Sequence, residues 1–243
     1  MAVVKASAYG HGLEAVASAL EQEEIAFFGV ANVGEARRLS KAGVRTPIYL
    51  LGGTFPSERE EVIAHHWLPC LNTMEEARHF DQLARHGGTV VEAHLTVDTG
   101  MGRGGFLPSD APAALEAIRA LPGIRISGLG SHLPSADEDP AFTRTQFDQF
   151  DNLVESLPRR KELKHIHLAN SAGLLGYQSR TTTLARPGLL LYGVSPLKEH
   201  GADLRNVMSL KSRIALIRDL PSGHGISYGR TFVTTRPTKV GTI

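Results

Sequence analysis

The sequence predicts an α/β protein: a (β/α)8 TIM-type barrel over residues 1–196, then the start of a separate all-β C-terminal domain over residues 205–243. Three observations carry this reading. Eight short apolar runs alternate with stretches of helical periodicity, the pattern of parallel βα units. About 195 residues are spent on those eight units, which suits a closed barrel. Beyond Pro196 the helical periodicity stops, and short apolar runs are joined by glycine turns. A doubly wound open sheet uses the same alternation, and strand periodicity alone does not separate the two.

Ala2–Ala6 reads as the first strand, carrying Lys5 at its end. Leu13, Val16, Ala17 and Leu20 keep the i, i+3, i+4, i+7 spacing of one helix face. Phe27–Ala31 is the second strand, and Gly34–Ala42 a helix stopped by Gly43. Ile48–Leu51 is the third strand, ended by Gly52-Gly53, and a helix covers Ser57–Ala64. Leu68–Leu71 is the fourth and weakest strand, because Pro69 cannot donate to a ladder. Thr73 caps the next helix, with Glu76 three residues on as a capping box. Val90–Val97 is the fifth strand, and Ala114, Ala117, Ile118 and Leu121 mark the helix after it. Ile124–Leu129 is the sixth, followed by a helix marked by Phe147, Phe150 and Val154. His165–Ala169 and Leu189–Tyr192 are the seventh and eighth. Ser209–Ile217, Ile226–Tyr228 and Thr231–Thr235 read as strands of the second domain.

Composition narrows the function. A net charge of +1 argues against nucleic acid or an anionic membrane as partner. The single Cys70 excludes an internal disulfide and a cysteine metal cage, and the His residues lack zinc-site spacing, so no metal is expected. No apolar run approaches a membrane span and no leader is visible, so a cytoplasmic protein is expected. Both ends read as cut: Lys5 has no element before its strand, and Lys239–Ile243 stops within a strand pattern.

The chemistry-bearing residues fall at strand C-terminal ends, where a barrel enzyme carries its site. They are Lys5 and Tyr9 after strand one, Arg103 in Asp98-Thr99-Gly100-Met101-Gly102-Arg103 after strand five and His132 after strand six. Asn170 and Ser171 follow strand seven, and Arg186-Pro187-Gly188-Leu189 leads into strand eight. A buried amine favours its neutral form, and a neutral amine forms an imine with a carbonyl compound. One lysine, two arginines and a Gly-Ser rim suit a phosphorylated carbonyl cofactor.

Five segments, in order along the whole chain, resemble the alanine racemase family. They are Val3-Val4-Lys5-Ala6-x-Ala8-Tyr9-Gly10-His11-Gly12, Asp98–Arg103, His167-x-Ala169-Asn170-Ser171-Ala172, Arg186-Pro187-Gly188 with Tyr192-Gly193, and Ser227-Tyr228-Gly229. The resemblance implies pyridoxal 5'-phosphate bound to Lys5 as an imine, with the freed Lys5 then acting as a base at Cα. It implies that Arg186 faces the pyridine nitrogen and, as a permanent donor, leaves that nitrogen unprotonated. Arg103 reaches the phenolic oxygen and substrate carboxylate, and His132 links Arg186 to a catalytic tyrosine. Tyr9, Ser171, Gly188 and Leu189 bind phosphate, and Asn170 supports the site from behind. Tyr192 is expected in the core, and Ser227-Tyr228-Gly229 within the β domain. The implied activity is interconversion of L- and D-alanine, supplying D-alanine for bacterial peptidoglycan, by a head-to-tail homodimer.

Two departures from the family stand out. Its second base, a tyrosine in a Gly-Tyr-x-Asp-Gly segment, is absent, so this stretch alone is expected to bind cofactor weakly and racemise little or not at all. Thr96 stands where many members carry a carbamylated lysine that holds the arginine corresponding to Arg103. Gly100–Gly105 also satisfies G-x-G-x-x-G, although Pro108 and Pro112 interrupt the helix a dinucleotide loop needs. A non-catalytic pyridoxal-phosphate barrel, a racemase of another amino acid such as serine, and a barrel decarboxylase are the alternatives. The β pattern after Pro196 counts against the first, and Arg186 where an acid is needed counts against the last.

Overall fold

Among the described residues, seven parallel strands form one sheet in strict chain order. They are β1 (Ala2–Val3), β2 (Phe28–Val30), β3 (Ile48–Leu50), β4 (Leu68–Leu71), β5 (Val91–Thr96), β6 (Ile124–Gly130) and β7 (His165–His167). This computed structural model describes residues 1–201 and 203–243, in two compact units, Met1–Val207 and Met208–Ile243.

The expected eighth strand is a correction. Leu189–Tyr192 is a short 3-10 helix, and the eighth place is taken by the extended segment Thr183–Pro187. On one side the amides of Thr183 and Leu184 donate to Ile166 O, at 2.8 and 3.1 Å, and that of Arg186 to Ala169 O at 2.9 Å. On the other, the Met1 amino group donates to Ala185 O and the Val3 amide to Pro187 O, both at 3.0 Å. The segment thereby joins β7 to β1 and closes the barrel, which decides against an open sheet. Pro187 has no N–H, so no regular ladder can form there.

Helices pack around the strands as the apolar spacing predicts. Leu13–Leu20, Val33–Lys41, Arg59–Ala64 and Met74–His86 follow the first four strands; Ala111–Arg119, Pro140–Ser156 and Ser171–Gly176 follow the next three. Helix Val33–Lys41 buries Val33, Ala36 and Leu39 and is capped by Asn32, which accepts the Glu35 amide at 3.0 Å. Thr73 caps the next long helix through the Glu76 amide at 3.1 Å. The Glu76 carboxylate bonds the Asn72 amide at 2.8 Å, one residue before the cap that a capping box would engage. On Ala111–Arg119 it is Leu115, and not Ala117, that joins Ala114 and Ile118 in the core. Phe28, Leu50, Leu71, Leu95 and Leu129 are fully buried, and a side chain of that size contributes about 1.5–3 kcal/mol on burial.

In the second unit, β8 (Leu216–Leu220) pairs antiparallel with β11 (Thr238–Thr242), and β9 (Gly225–Ile226) with β10 (Phe232–Val233). The expected strand over Ser209–Ile217 begins only at Leu216, and Tyr228–Arg230 forms a 3-10 turn. Among the described residues no helix is long and apolar enough to cross a membrane.

Candidate active site

Strand β1 ends at Val3, not at Ala6 as its apolar run suggests. Ala6, Ser7, Ala8 and Tyr9 have φ of 52–55°, a left-handed turn built from four residues that all carry a Cβ. That conformation costs about 1–2 kcal/mol per residue. Gly10, at φ 90°, and Gly12, at φ 96°, carry the chain onward without such strain. His11 Nδ1 bonds Ala8 O at 2.9 Å, which makes Nδ1 the donor, and the Tyr192 hydroxyl donates to Val3 O at 3.3 Å. Tyr192 is buried, with the His11 ring stacked on it at 4.4 Å. Strain of this kind persists only where the surroundings over-determine it, and it concentrates at functional sites. Here it presents Lys5 at the strand end.

Arg186 organises the opposite wall. Its Nη1 donates to His167 Nδ1, and its Nη2 to Ser131 O at 2.6 Å, His132 Nδ1 at 3.0 Å and Leu168 O at 3.3 Å. A guanidinium only donates, so both imidazoles accept at Nδ1 and carry their proton on Nε2. His167 Nε2 then donates to His94 Nδ1 at 2.9 Å, and His94 Nε2 is buried without a partner among the described residues. The rings fit because β6 is stripped of side chains opposite them. A Cβ on Gly128 would lie 2.5 Å from His94, and one on Gly130 2.2 Å from His167.

Burial, reinforced by Arg186, holds these imidazoles neutral. His132 is lowered to about 3 by burial, then by Arg186, Arg103 and Lys5. His94 is lowered to about 3 by burial, then by His165. His167 lies well below its ordinary value for the same first reason, followed by Arg186. Burial brings Arg186 down to about 10, which leaves it protonated at neutral pH. Among the described residues no carboxylate pairs with it, and its Nε has no protein partner.

A third corner is built for an anion. Ser171 Oγ accepts the amides of Gly188 at 3.0 Å and Leu190 at 3.4 Å, so its own proton is free for another acceptor. The Tyr9 hydroxyl sits so close to Gly188 that a Cβ there would lie 2.4 Å away. Burial raises the Tyr9 pKa, which keeps it a phenol. Asn170 is already engaged: its Oδ1 caps helix Ser171–Gly176 at Gly173 N, 2.9 Å, and its Nδ2 donates to Leu133 O, 3.1 Å.

The glycine-rich loop after β5 is not a dinucleotide cradle. The Asp98 carboxylate accepts the amides of Gly100 at 2.9 Å and Gly102 at 3.0 Å, which removes the donors a pyrophosphate would need. The next helix starts only at Ala111. The loop closes through Asp98 N to Phe106 O and Phe106 N to Thr96 O, both 2.9 Å. Arg103 points from it into the site beside Thr96 and His132, with no hydrogen bond or ion pair among the described residues.

Lys5, Tyr9, Arg103, His132, Asn170, Ser171, Arg186, Gly188 and Leu189 all line one cavity of about 270 Å³. Among the described residues its lining holds Lys5, Arg103 and Arg186 and a single carboxylate, Asp137. With the Ser171 corner and the unpartnered Nε of Arg186, that balance fits a phosphorylated, ring-bearing anion and a substrate carboxylate. Tyr49, Cys70 and His167 also line the cavity, and sequence reasoning gave them no part. The signal was available in the period of two: His165 and His167 on β7, and Gly128 and Gly130 on β6, each share a face.

Comparison with known proteins identifies the family. Residues 1–196 match the family model described as alanine racemase, N-terminal domain, and residues 207–243 that of alanine racemase, C-terminal domain. The whole chain is 40% identical to an alanine racemase of Syntrophobacter fumaroxidans, covering 66% of it, and 36% identical to one of Halothermothrix orenii, covering 65%. The chain thus spans slightly less than two thirds of these relatives. Among solved structures, alanine racemase of Clostridium difficile 630 superposes with a TM-score of 0.86 at 30% identity, over 99% of this chain and 64% of that one. Alanine racemase from Bartonella henselae, with covalently bound pyridoxal phosphate, gives 0.85 at 28%, over 99% and 66%. A histidine racemase from Leuconostoc mesenteroides gives 0.85 at 27%, over 99% and 66%.

Proposed function

The chain belongs to the alanine racemase family, and on that premise we propose that the intact protein interconverts L- and D-alanine with pyridoxal 5'-phosphate. The observation that carries the reading is Arg186: a buried guanidinium with no carboxylate partner among the described residues, its Nε unpartnered at the cavity wall. Bound there, the cofactor supplies a carbonyl that links to an amine and a ring that accepts electrons from the Cα–H bond. Lys5 is its covalent anchor. Once released, the Lys5 amine serves one face of Cα, taking a proton there in one direction of the reaction and delivering one there in the other. Arg186 donates to the ring nitrogen and keeps a proton off it, which restrains the ring's electron demand and with it side reactions. His132 and His167 hold the guanidinium plane, and His132 keeps an Nε2 proton for the next group along. Ser171, Tyr9 and the Leu189 amide hold the phosphate, with Gly188 leaving room for the Tyr9 hydroxyl and its amide fixing Ser171 Oγ, and Arg103 meets the substrate carboxylate.

The opposite face of Cα needs a second acid. On this reading it is a tyrosine from the partner subunit of a head-to-tail homodimer. The product would feed peptidoglycan synthesis in the cytoplasm. The match of residues 207–243 to the family's C-terminal domain counts against a cofactor carrier made of a barrel alone. The test is formation of D-enantiomer by the intact protein from L-alanine, L-serine and L-histidine, with and without added cofactor. Cofactor-dependent turnover with alanine preferred is expected. Preference for serine or histidine would move the substrate, and no racemisation of any of them would overturn the reading.

A further inference from the structure

We propose that Glu35 is a positioning residue for Lys5, an inference that rests on Lys5 being the cofactor anchor. The turn that follows Lys5 is strained at four consecutive residues, so something must hold it against relaxation. Glu35 sits in the first turn of helix Val33–Lys41, three residues after its cap Asn32, where a carboxylate ordinarily folds back onto the cap amide. Here it does not. Its Oε1 accepts the Ala6 amide at 2.6 Å, and its Oε2 accepts the Ala31 amide at 2.8 Å. One carboxylate therefore fastens the residue after Lys5 to the end of β2. Both bonds are charge-assisted, and a two-point clamp fixes direction as well as distance.

Glu76 offers an internal comparison. It occupies the same place on helix Met74–His86 and bonds the Asn72 amide at 2.8 Å and Thr54 Oγ1 at 3.4 Å. Each carboxylate ties the end of its own strand to the loop after the preceding strand. Only that of Glu35 ends on the neighbour of the reactive amine. Its role is to set where the Lys5 side chain leaves the backbone, not to meet cofactor or substrate.

The test compares Glu35→Gln with Asn32→Ala in the intact protein. Both disturb the start of the same helix, but only the first removes the charge and turns one of the two oxygens that clamp Ala6 to Ala31 into an N–H donor, so the two amides can no longer both be held. Amide hydrogen exchange without cofactor reads the clamp directly. Exchange at Ala6 is expected to accelerate in Glu35→Gln and not in Asn32→Ala. Pyridoxal phosphate affinity is expected to weaken about tenfold or more in Glu35→Gln, with less borohydride-trapped Lys5, and to stay within about twofold in Asn32→Ala. Unchanged Ala6 exchange in Glu35→Gln overturns the proposal, as does lost protection with undiminished affinity or an equal loss of affinity in Asn32→Ala. A wild-type protein that forms no adduct at Lys5 overturns the cofactor reading instead, while the exchange experiment still judges the clamp.

Discussion

Gly130→Ala tests the imidazole wall with the smallest possible change. The new methyl carbon would lie 2.2 Å from His167 Cε1, 2.6 Å from Nδ1 and 3.0 Å from Nε2. The ring cannot swing aside freely, since Nδ1 is bonded to Arg186 and Nε2 to His94. Gly130 is itself in register with His167 on the neighbouring strand, so backbone retreat would disturb the ladder. Forcing a methyl into such a wall costs about 1–3 kcal/mol, and losing the charged hydrogen bond to Arg186 about 1.5–3 kcal/mol more. The two losses overlap, so a total near 3–5 kcal/mol is expected, a large share of an ordinary domain's stability of about 5–15 kcal/mol. Urea unfolding of the intact protein measures it as a lowered midpoint, and titration with pyridoxal phosphate as weakened binding. A variant with the wild-type midpoint and affinity would refute the packing of His167 against β6 and its hold on Arg186.

Two further outcomes follow from the same wall and the corner beside it. His94, His132 and His167 all titrate below their ordinary value in the fold, so the unfolded chain binds more protons between about pH 6.5 and about pH 3. Stability is therefore full above about pH 6.5 and falls as the pH drops, by at most about 1.4 kcal/mol per pH unit for each histidine. Urea midpoints at pH 7.5, 6.0 and 5.0 should decline in that order, before ordinary carboxylates titrate; a flat profile would show the rings to be protonated or exposed. Ser171→Ala should destabilise by about 1–3 kcal/mol, because the Gly188 and Leu190 amides lose their acceptor. The same variant should bind inorganic phosphate and pyridoxal phosphate more weakly while pyridoxal binding changes little, and an equal loss for pyridoxal would remove Ser171 from the phosphate corner.

The barrel was legible in the sequence because its strands are short apolar runs with helices of clean periodicity between them. The eighth position was not. Leu189–Tyr192 has strand composition, but the ring closes through Thr183–Pro187, a segment whose hydrogen bonds go to β1 and β7 rather than into a local pattern. The turn after Lys5 was hidden for a different reason. Nothing in Ala6-Ser7-Ala8-Tyr9 favours left-handed backbone; the conformation is imposed from outside, by groups as distant in sequence as Glu35 and Tyr192. Site residues that stand at strand ends were readable by motif. His94 and Tyr49 were not, since an inward-facing polar residue in a strand reads like any alternation until the barrel gives that face an inside.

The proposed function requires Lys5 to carry the cofactor. Incubating the intact protein with pyridoxal phosphate, reducing with borohydride and mapping the modified peptide tests that requirement directly. One modified residue, Lys5, is expected, and no modification in Lys5→Ala. A stable adduct on any other lysine, or none at all, would contradict it.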